Sequence, residues 1–213
     1  MKVLIIFAHP EPASFNAALR DAATDTLKKS GHEIKVSDLY AMKFKSELSG
    51  SDFLSRKVQP EFNAFIEQLH ACQTGTFTPD IMGEMEKVRW ADLLIFQFPI
   101  YWTGMPAIMK GWLDRVFAAG FAFHPFTASY YEKGLLVGKK AMIVTSCGAN
   151  QEMYSAGGKH GDINALLGYI THNTFEYTGM QALPTFVVFQ AAGQSKEQGT
   201  HEIERFRKHL LSL

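Results

Sequence analysis

A tyrosine and a histidine stand six residues apart in a glycine-rich segment, TSCGANQEMYSAGGKHGD, which covers residues 145–162. The hydroxyl of Tyr154 could donate a hydrogen bond to a developing anion while the imidazole of His160 takes up positive charge. The glycines of the segment would let its backbone approach a ligand closely. We therefore treat the two rings as candidate catalytic groups. The alternative is that His160 is an ordinary loop histidine in water.

Two aromatic residues occupy a predicted turn, where polar residues are usual. In FPIYWTGMPAIMKGWLDRVF (98–117), Tyr101 and Trp102 lie between Pro99 and Gly104, directly after an apolar run. Planar rings at this position suit a planar heterocycle, and nearby backbone amides could hydrogen-bond its polar edge. The alternative is that these side chains seal the end of a sheet or form a dimer contact.

A third segment, FAHPEPASFNAA, follows the first apolar run and could bind phosphate. It contains neither the G-x-G-x-x-G pattern of dinucleotide folds nor a P-loop. Instead, Ser14 can cap a helix whose first N–H groups, those of Phe15 and Asn16, are free to bind an anion. His9 could add a positive donor. The alternative is a capped helix with a histidine in the preceding turn.

The elements that must position these residues alternate between strand and helix. Buried or alternating apolar runs predict strands at 3–8, 32–39, 92–98, 139–145 and 184–189. Helical spacing predicts helices from Ser14 to Ser30, at 79–91, 106–117, about 163–174, and 200–213. The pattern predicts one α/β domain over 1–213, a doubly wound five-stranded parallel sheet with helices on both faces. By analogy, its strand order is 2-1-3-4-5. Residues 41–78 and 121–138 lack periodicity and are expected to be lids or dimer arms.

The composition excludes several classes of function. The chain has 213 residues, with 21 basic and 21 acidic side chains, so it has no general attraction for nucleic acid. Two cysteines are too few for a disulfide framework, and neither they nor the histidines have metal-ligand spacing, so no metal is expected. We expect a cytoplasmic protein, because cysteine is rare and no apolar run is long enough to cross a bilayer.

Longer motifs carry a family resemblance. These are AHPEPASFNAAL, SDLYAMKF (37–44), TPDI (78–81), ADLLIFQFPIYWTGMPAIMKGWLDRVF and MYSAGGKHGDIN (153–164), in this order. The chain resembles the NAD(P)H:quinone oxidoreductases of the DT-diaphorase type, which are dimeric flavoproteins with a flavodoxin-like fold. The resemblance covers nearly the whole sequence.

The resemblance implies a role for each matching residue. The pyrophosphate of the flavin would contact His9, Ser14, Phe15, Asn16 and Ala18, and the isoalloxazine would contact Pro99, Tyr101, Trp102 and Thr103. The backbone amides of Ser146, Cys147, Gly148 and Ala149 would face N1 and O2 of the flavin, where Tyr154 and His160 match a pair that steadies the reduced ring. Asn63 and Asp114 fall where the family contacts the adenosine.

The implied activity is two-electron, ping-pong hydride transfer from NAD(P)H to a quinone or another flat aromatic acceptor, in a homodimer that binds FAD. FMN stays open, because an arginine that meets the adenine end in the family has no clear equivalent near Gly199. Tyr101 replaces a glutamine and Thr103 a bulky aromatic, so the substrate pocket is expected to differ in shape. Two other functions remain: an accessory flavoprotein of a membrane potassium efflux system, and a one-electron carrier like flavodoxin.

Overall fold

The computed structural model, which describes residues 1–212, contains a parallel β-sheet. The strands are β1 (Lys2–Phe7), β2 (Glu33–Asp38), β3 (Leu93–Pro99), β4 (Lys140–Ser146), β5 (Gln181–Ala182) and β6 (Phe186–Val188). They pair in the order β2-β1-β3-β4-β5, and β6 also pairs with β4. This confirms the predicted flavodoxin-like order.

Helices connect the strands and cover both faces of the sheet. They are α1 (Phe15–Lys29), α2 (Ala64–Thr74), α3 (Pro79–Trp90), α4 (Ala107–Val116), α5 (Ile163–Leu166), α6 (Gly168–Ile170) and α7 (Lys196–Leu211). A π-helical segment, Thr171–Glu176, follows α6. The helix expected at about 163–174 is therefore divided into three pieces. The last helix begins earlier than expected, because Ser195 and Gln198 form a capping box at its start.

The apolar core has two layers, one on each face of the sheet. In β1, Leu4 and Ile6 belong to the layer that contains residues of α2, α3 and α4. Val3, Ile5 and Phe7 belong to the layer that contains residues of α1 and α7. Because successive strand side chains point to opposite faces, a strand covered on both sides is mostly apolar, as β1 is from Val3 to Phe7.

The strand register places three loops at one edge of the sheet. Phe7 of β1 pairs with Gln97 of β3, and Pro99 of β3 pairs with Ser146 of β4. Since the three strands are parallel, the segments that follow β1, β3 and β4 all leave the sheet at its carboxyl edge. These are the three segments that carry the predicted site residues.

Two parts of the structure differ from the sequence prediction. The fifth strand is split into β5 and β6 around Pro184, which has no N–H to donate to β4. Within 41–78, helix α2 was missed, although Asn63 caps it and Gly75 ends it in a left-handed conformation with φ of 68°. Its apolar pattern is inverted, because Phe65 is exposed and Glu67 is fully buried.

No helix within residues 1–212 has both the length and the apolar character needed to cross a membrane.

Candidate active site

The start of α1 offers free backbone donors. Ser14 is extended, its hydroxyl oxygen accepts a hydrogen bond from the N–H of Ala17 at 3.1 Å, and its carbonyl accepts from Ala18 at 3.1 Å. The predicted cap is thus confirmed. The N–H groups of Phe15 and Asn16 have no partner within residues 1–212. A phosphate at this point would meet two free donors and the positive end of a helix dipole.

Asn16 also ties the start of α1 to the end of β4. Its buried side-chain amide donates to the hydroxyl of Ser146 at 2.9 Å, and the Gln97 side chain donates to its carbonyl at 2.6 Å. The side chains of Asn16 and Ser146 therefore bond to each other. They fix the distance between the first and third segments. In the sequence, Gln97 is recognisable only as a single polar residue within an apolar strand.

The two remaining residues of the first segment have different surroundings. The Nδ1 atom of His9 lies 3.0 Å from the N–H of Glu11, which holds the imidazole in the turn before α1. Ala18 is exposed, and its N–H is already bonded to Ser14. Of these two, only His9 brings a polar side chain to the segment.

The segment after β3 forms a strained reverse turn. Tyr101 and Gly104 each donate a backbone hydrogen bond to the other's carbonyl, at 2.9 and 3.0 Å. Trp102 and Thr103 between them both have positive φ, 48° and 64°, as in a type I′ turn. Such a conformation costs about 1–3 kcal/mol per non-glycine residue and is concentrated at functional sites. Trp102 is 101% exposed, so a large apolar ring stands in solvent beside the sheet edge.

The segment after β4 is held from the side by the segment after β6. The N–H of Cys147 donates to the carbonyl of Val188 at 2.9 Å, and Ala191 and Gln190 donate to the carbonyls of Cys147 and Ala149. These bonds leave the N–H groups of Gly148 and Ala149 without a partner within residues 1–212. Of the four backbone N–H groups expected to face a ligand here, only those of Gly148 and Ala149 are therefore free donors at the tip of the segment. Burial raises the pKa of the Cys147 thiol, which fits a packing role better than a reactive one.

The structure brings Tyr154 and His160 together. Their ring centroids are 4.9 Å apart and the planes are inclined by 42°. The N–H of His160 donates to the carbonyl of Met153 at 2.9 Å, which closes the loop between the two rings. Burial raises the pKa of the Tyr154 hydroxyl, and the neighbouring Cys147 thiol adds to this effect. The hydroxyl thus stays a hydrogen-bond donor at all physiological pH values.

Asn63 and Asp114 lie on other elements. The side chain of Asn63 caps α2 through the N–H of Ile66 at 3.2 Å. Asp114 pairs with Lys110 at 2.6 Å on α4, and the Gln68 side chain joins the two helices by donating to its carbonyl. The hydrogen bonds and ion pairs of these two residues stay within α2 and α4. Within one copy of the chain, these bonds do not connect Asn63 or Asp114 to the three segments at the sheet edge.

One contributor to the site gave no sign in the sequence. The hydroxyl of Tyr169, on α6, accepts a hydrogen bond from the N–H of Met105 at 3.1 Å, directly after the Tyr101–Gly104 turn. The two residues are 64 positions apart. A contact over that separation leaves no local pattern.

These features define a class of protein, a doubly wound α/β protein with free N–H groups at a helix start, an aromatic turn and free backbone donors at the carboxyl edge of its sheet. Residues 1–210 match the family described as having a flavodoxin-like fold. The human ribosyldihydronicotinamide dehydrogenase [quinone] is 41% identical over 213 residues, which cover 100% of this chain and 91% of the relative. NAD(P)H dehydrogenase [quinone] 1 of Cavia porcellus is 40% identical over 213 residues, 100% of this chain and 77% of the relative.

A solved structure agrees with these relatives. A Klebsiella pneumoniae protein described as a candidate quinone reductase superposes with a TM-score of 0.95 and 39% sequence identity, over 100% of this chain and 84% of that one. The chain therefore belongs to the flavodoxin-like family of NAD(P)H dehydrogenases [quinone].

Proposed function

We propose that this protein is a flavin-dependent NAD(P)H:quinone oxidoreductase that transfers two electrons to a quinone or a similar flat aromatic acceptor. One observation carries the proposal. The free N–H groups of α1, the exposed ring of Trp102 and the paired rings of Tyr154 and His160 all belong to segments that leave one sheet edge. A phosphate, a planar ring and a developing negative charge each find a matching group there.

The donor set fits a flavin nucleotide. The N–H groups of Phe15 and Asn16 would hold its phosphate, with His9 nearby. The Tyr101–Gly104 turn would lie along the isoalloxazine, and Trp102 would exclude water from it. Gly148 supports this arrangement, because no atom lies within 4 Å of the place where a side chain would begin, so a ligand can approach its backbone.

FAD is favoured over FMN by a cavity next to the phosphate site. It has a volume of about 290 Å³ and lies between Phe15 and the first turns of α7, where Gly199 and Ile203 line it. An adenosine extending from the phosphate would enter this space. Lys196 also lines the cavity. It would supply a cation at the adenine end, the part that the resemblance gives to an arginine.

The flavin, when bound, supplies the redox chemistry by accepting a hydride from NAD(P)H and passing two electrons to the acceptor. The protein's part is to stabilise negative charge and to hold a proton. The N–H groups of Gly148 and Ala149 and the Tyr154 hydroxyl would donate to the edge of the ring where charge collects. A preorganised donor of this kind contributes about 2.7–4 kcal/mol. His160 would carry the compensating proton on its imidazole.

The proposal includes a homodimer in the cytoplasm. Leu54, Phe62, Phe65 and Phe126 expose 43–74% of their surface. These apolar residues would be covered by a second copy, which would also bring Asn63 and Asp114 to the partner's flavin. The free thiols of Cys72 and Cys147 suit a reducing compartment.

The two alternative functions have less support. Both curated relatives described above are named as dehydrogenases, and neither is named as an accessory protein of a transporter or as an electron carrier. The enzyme is therefore the function that fits the site and the relatives together.

The test begins with the visible spectrum of the purified protein. The released ligand is identified by chromatography against FAD and FMN, and turnover is measured with NADH or NADPH and menadione. We expect the purified protein to be yellow, the released ligand to be FAD, and menadione to be reduced by two electrons. A folded preparation that stays colourless and takes up neither nucleotide on reconstitution would overturn the proposal.

A further inference from the structure

We propose that Tyr169 is a positioning residue for the flavin site, because its hydroxyl holds the strained Tyr101–Gly104 turn in place. The inference rests on the proposed function. The hydroxyl oxygen accepts a hydrogen bond from the N–H of Met105 at 3.1 Å. It also lies 2.9 Å from the point where a β-carbon on Gly104 would stand. The hydroxyl thus touches the end of the turn from outside.

The turn needs an external support because of its backbone conformation. Trp102 and Thr103 are successive non-glycine residues with positive φ, and Thr103 is β-branched, the type least suited to that region. A strained turn of this kind persists only when its surroundings fix it. The mutual hydrogen bonds of Tyr101 and Gly104 close the turn, but they do not fix its direction relative to the sheet.

Tyr169 can fix the direction of the turn relative to the sheet, because its own backbone is anchored. It lies on α6, where the neighbouring residues Leu167 and Ile170 are completely buried. Its carbonyl accepts a hydrogen bond from the Thr174 hydroxyl at 2.9 Å, at the π-helical segment that follows. The ring therefore connects the core beneath α6 to the turn that would carry Trp102 along the isoalloxazine.

Gly104 and Tyr169 are coupled through the same hydroxyl. A methyl group at Gly104 would lie 2.9 Å from this oxygen but 3.8 Å from the ring carbon that bears it. The substitution Gly104→Ala must therefore displace the hydroxyl in the natural protein. In a Tyr169→Phe background the same methyl group would meet only ordinary van der Waals contact. The two substitutions remove one interaction, so their effects should not add.

The first experiment measures amide hydrogen exchange of the full-length protein without flavin. Tyr169→Phe keeps the ring and its packing, and it should speed exchange at Met105 by about three- to tenfold, the usual value of one hydrogen bond. Tyr177→Phe is the matched control, since the Tyr177 hydroxyl makes no hydrogen bond within residues 1–212, and it should leave exchange at Met105 unchanged. Unchanged exchange at Met105 in Tyr169→Phe would disprove the support itself. This measurement does not depend on the proposed function.

The second experiment measures FAD affinity of the reconstituted protein. Tyr169→Phe and Gly104→Ala should each weaken binding by about three- to tenfold, and the double variant should bind no worse than about twofold below either single variant. Faster exchange at Met105 with unchanged FAD affinity would overturn the positioning role, and so would effects that multiply in the double variant. Failure of the natural protein to bind any flavin would instead overturn the proposed function.

Discussion

The ring of Tyr154 lies 4.9 Å from the ring of His160, in a loop whose closure depends on a glycine between them. At Gly158, a β-carbon would stand 2.3 Å from the carbonyl oxygen of Glu152 and 2.4 Å from that of Met153. The backbone can fold back so tightly only because no side chain is present. A phenolic donor and an imidazole are thereby placed side by side.

Replacing His160 should slow reduction of the flavin without releasing it. The imidazole would carry the proton that offsets charge on the reduced ring, whereas the phosphate donors of α1 are untouched. We expect His160→Gln to reduce the rate by at least about tenfold. Stopped-flow absorbance with NADH measures the rate, and Tyr154→Phe tests the hydroxyl separately. An unchanged rate in His160→Gln would remove the imidazole from the mechanism.

Alanine substitution at two adjacent glycines should affect the rate of flavin reduction very differently. Gly158→Ala places a methyl group against two backbone carbonyls, so the loop must open and the Tyr154–His160 pair must separate. At Gly157 no atom lies within 4 Å of the new methyl group, so Gly157→Ala should leave flavin reduction within about twofold of the natural rate. Gly158→Ala should lower it by at least tenfold, about the loss expected for His160→Gln. Equal rates in the two variants would contradict the closed loop.

Glu67 should stabilise the protein near neutral pH and lose this effect in acid. Burial alone would raise the pKa of its carboxyl group, but the N–H groups of Lys57 and Val58 and the Arg56 guanidinium outweigh burial and hold the pKa below its usual 4.5. A lowered pKa means that folding favours the charged form. The stabilisation is therefore complete above about pH 5 and is lost as pH falls through the lowered pKa.

Urea denaturation measures this effect. We expect Glu67→Gln to lower the free energy of unfolding by about 1–3 kcal/mol at pH 7, because the buried amide cannot accept both backbone donors and pair with Arg56. Below about pH 4 the difference from the natural protein should shrink. Glu61→Gln, an exposed glutamate in the same loop, is the control and should have little effect. A loss at Glu67 that is independent of pH would contradict the ionic contribution.

Thr103→Gly should stabilise the flavin-free protein. Glycine relieves the cost of positive φ at a β-branched residue, about 1–3 kcal/mol, and this exceeds its entropic cost of about 0.5–1 kcal/mol. The expected gain in unfolding free energy is about 1 kcal/mol. Thr103→Ser keeps the β-carbon and should not show it. A decrease in stability for Thr103→Gly, measured by urea denaturation, would contradict the strain.

The predictable parts of the fold are those that short stretches of chain encode. The run of β1 is apolar because both of its faces are buried, and the Ser14 cap needs only the first turn of α1. Helix α2 escaped prediction, since its exposed Phe65 and buried Glu67 reverse the usual pattern. The reversal can be explained only from the tertiary structure, in which Glu67 bonds to the backbone of the preceding loop and Phe65 is exposed.

The sequence by itself determined the alternation of strands and helices, the three segments that follow β1, β3 and β4, and the residue types that these segments carry, whereas the strand order was expected by analogy. The tertiary structure alone decided which donors remain free, because the N–H of Cys147 is taken by Val188 while those of Gly148 and Ala149 are not. It alone placed the Tyr169 hydroxyl under the N–H of Met105. The reason is the range of the interactions: caps and apolar runs act between near neighbours in sequence, whereas hydrogen bonds across 41 or 64 residues exist only after the sheet has brought distant segments together.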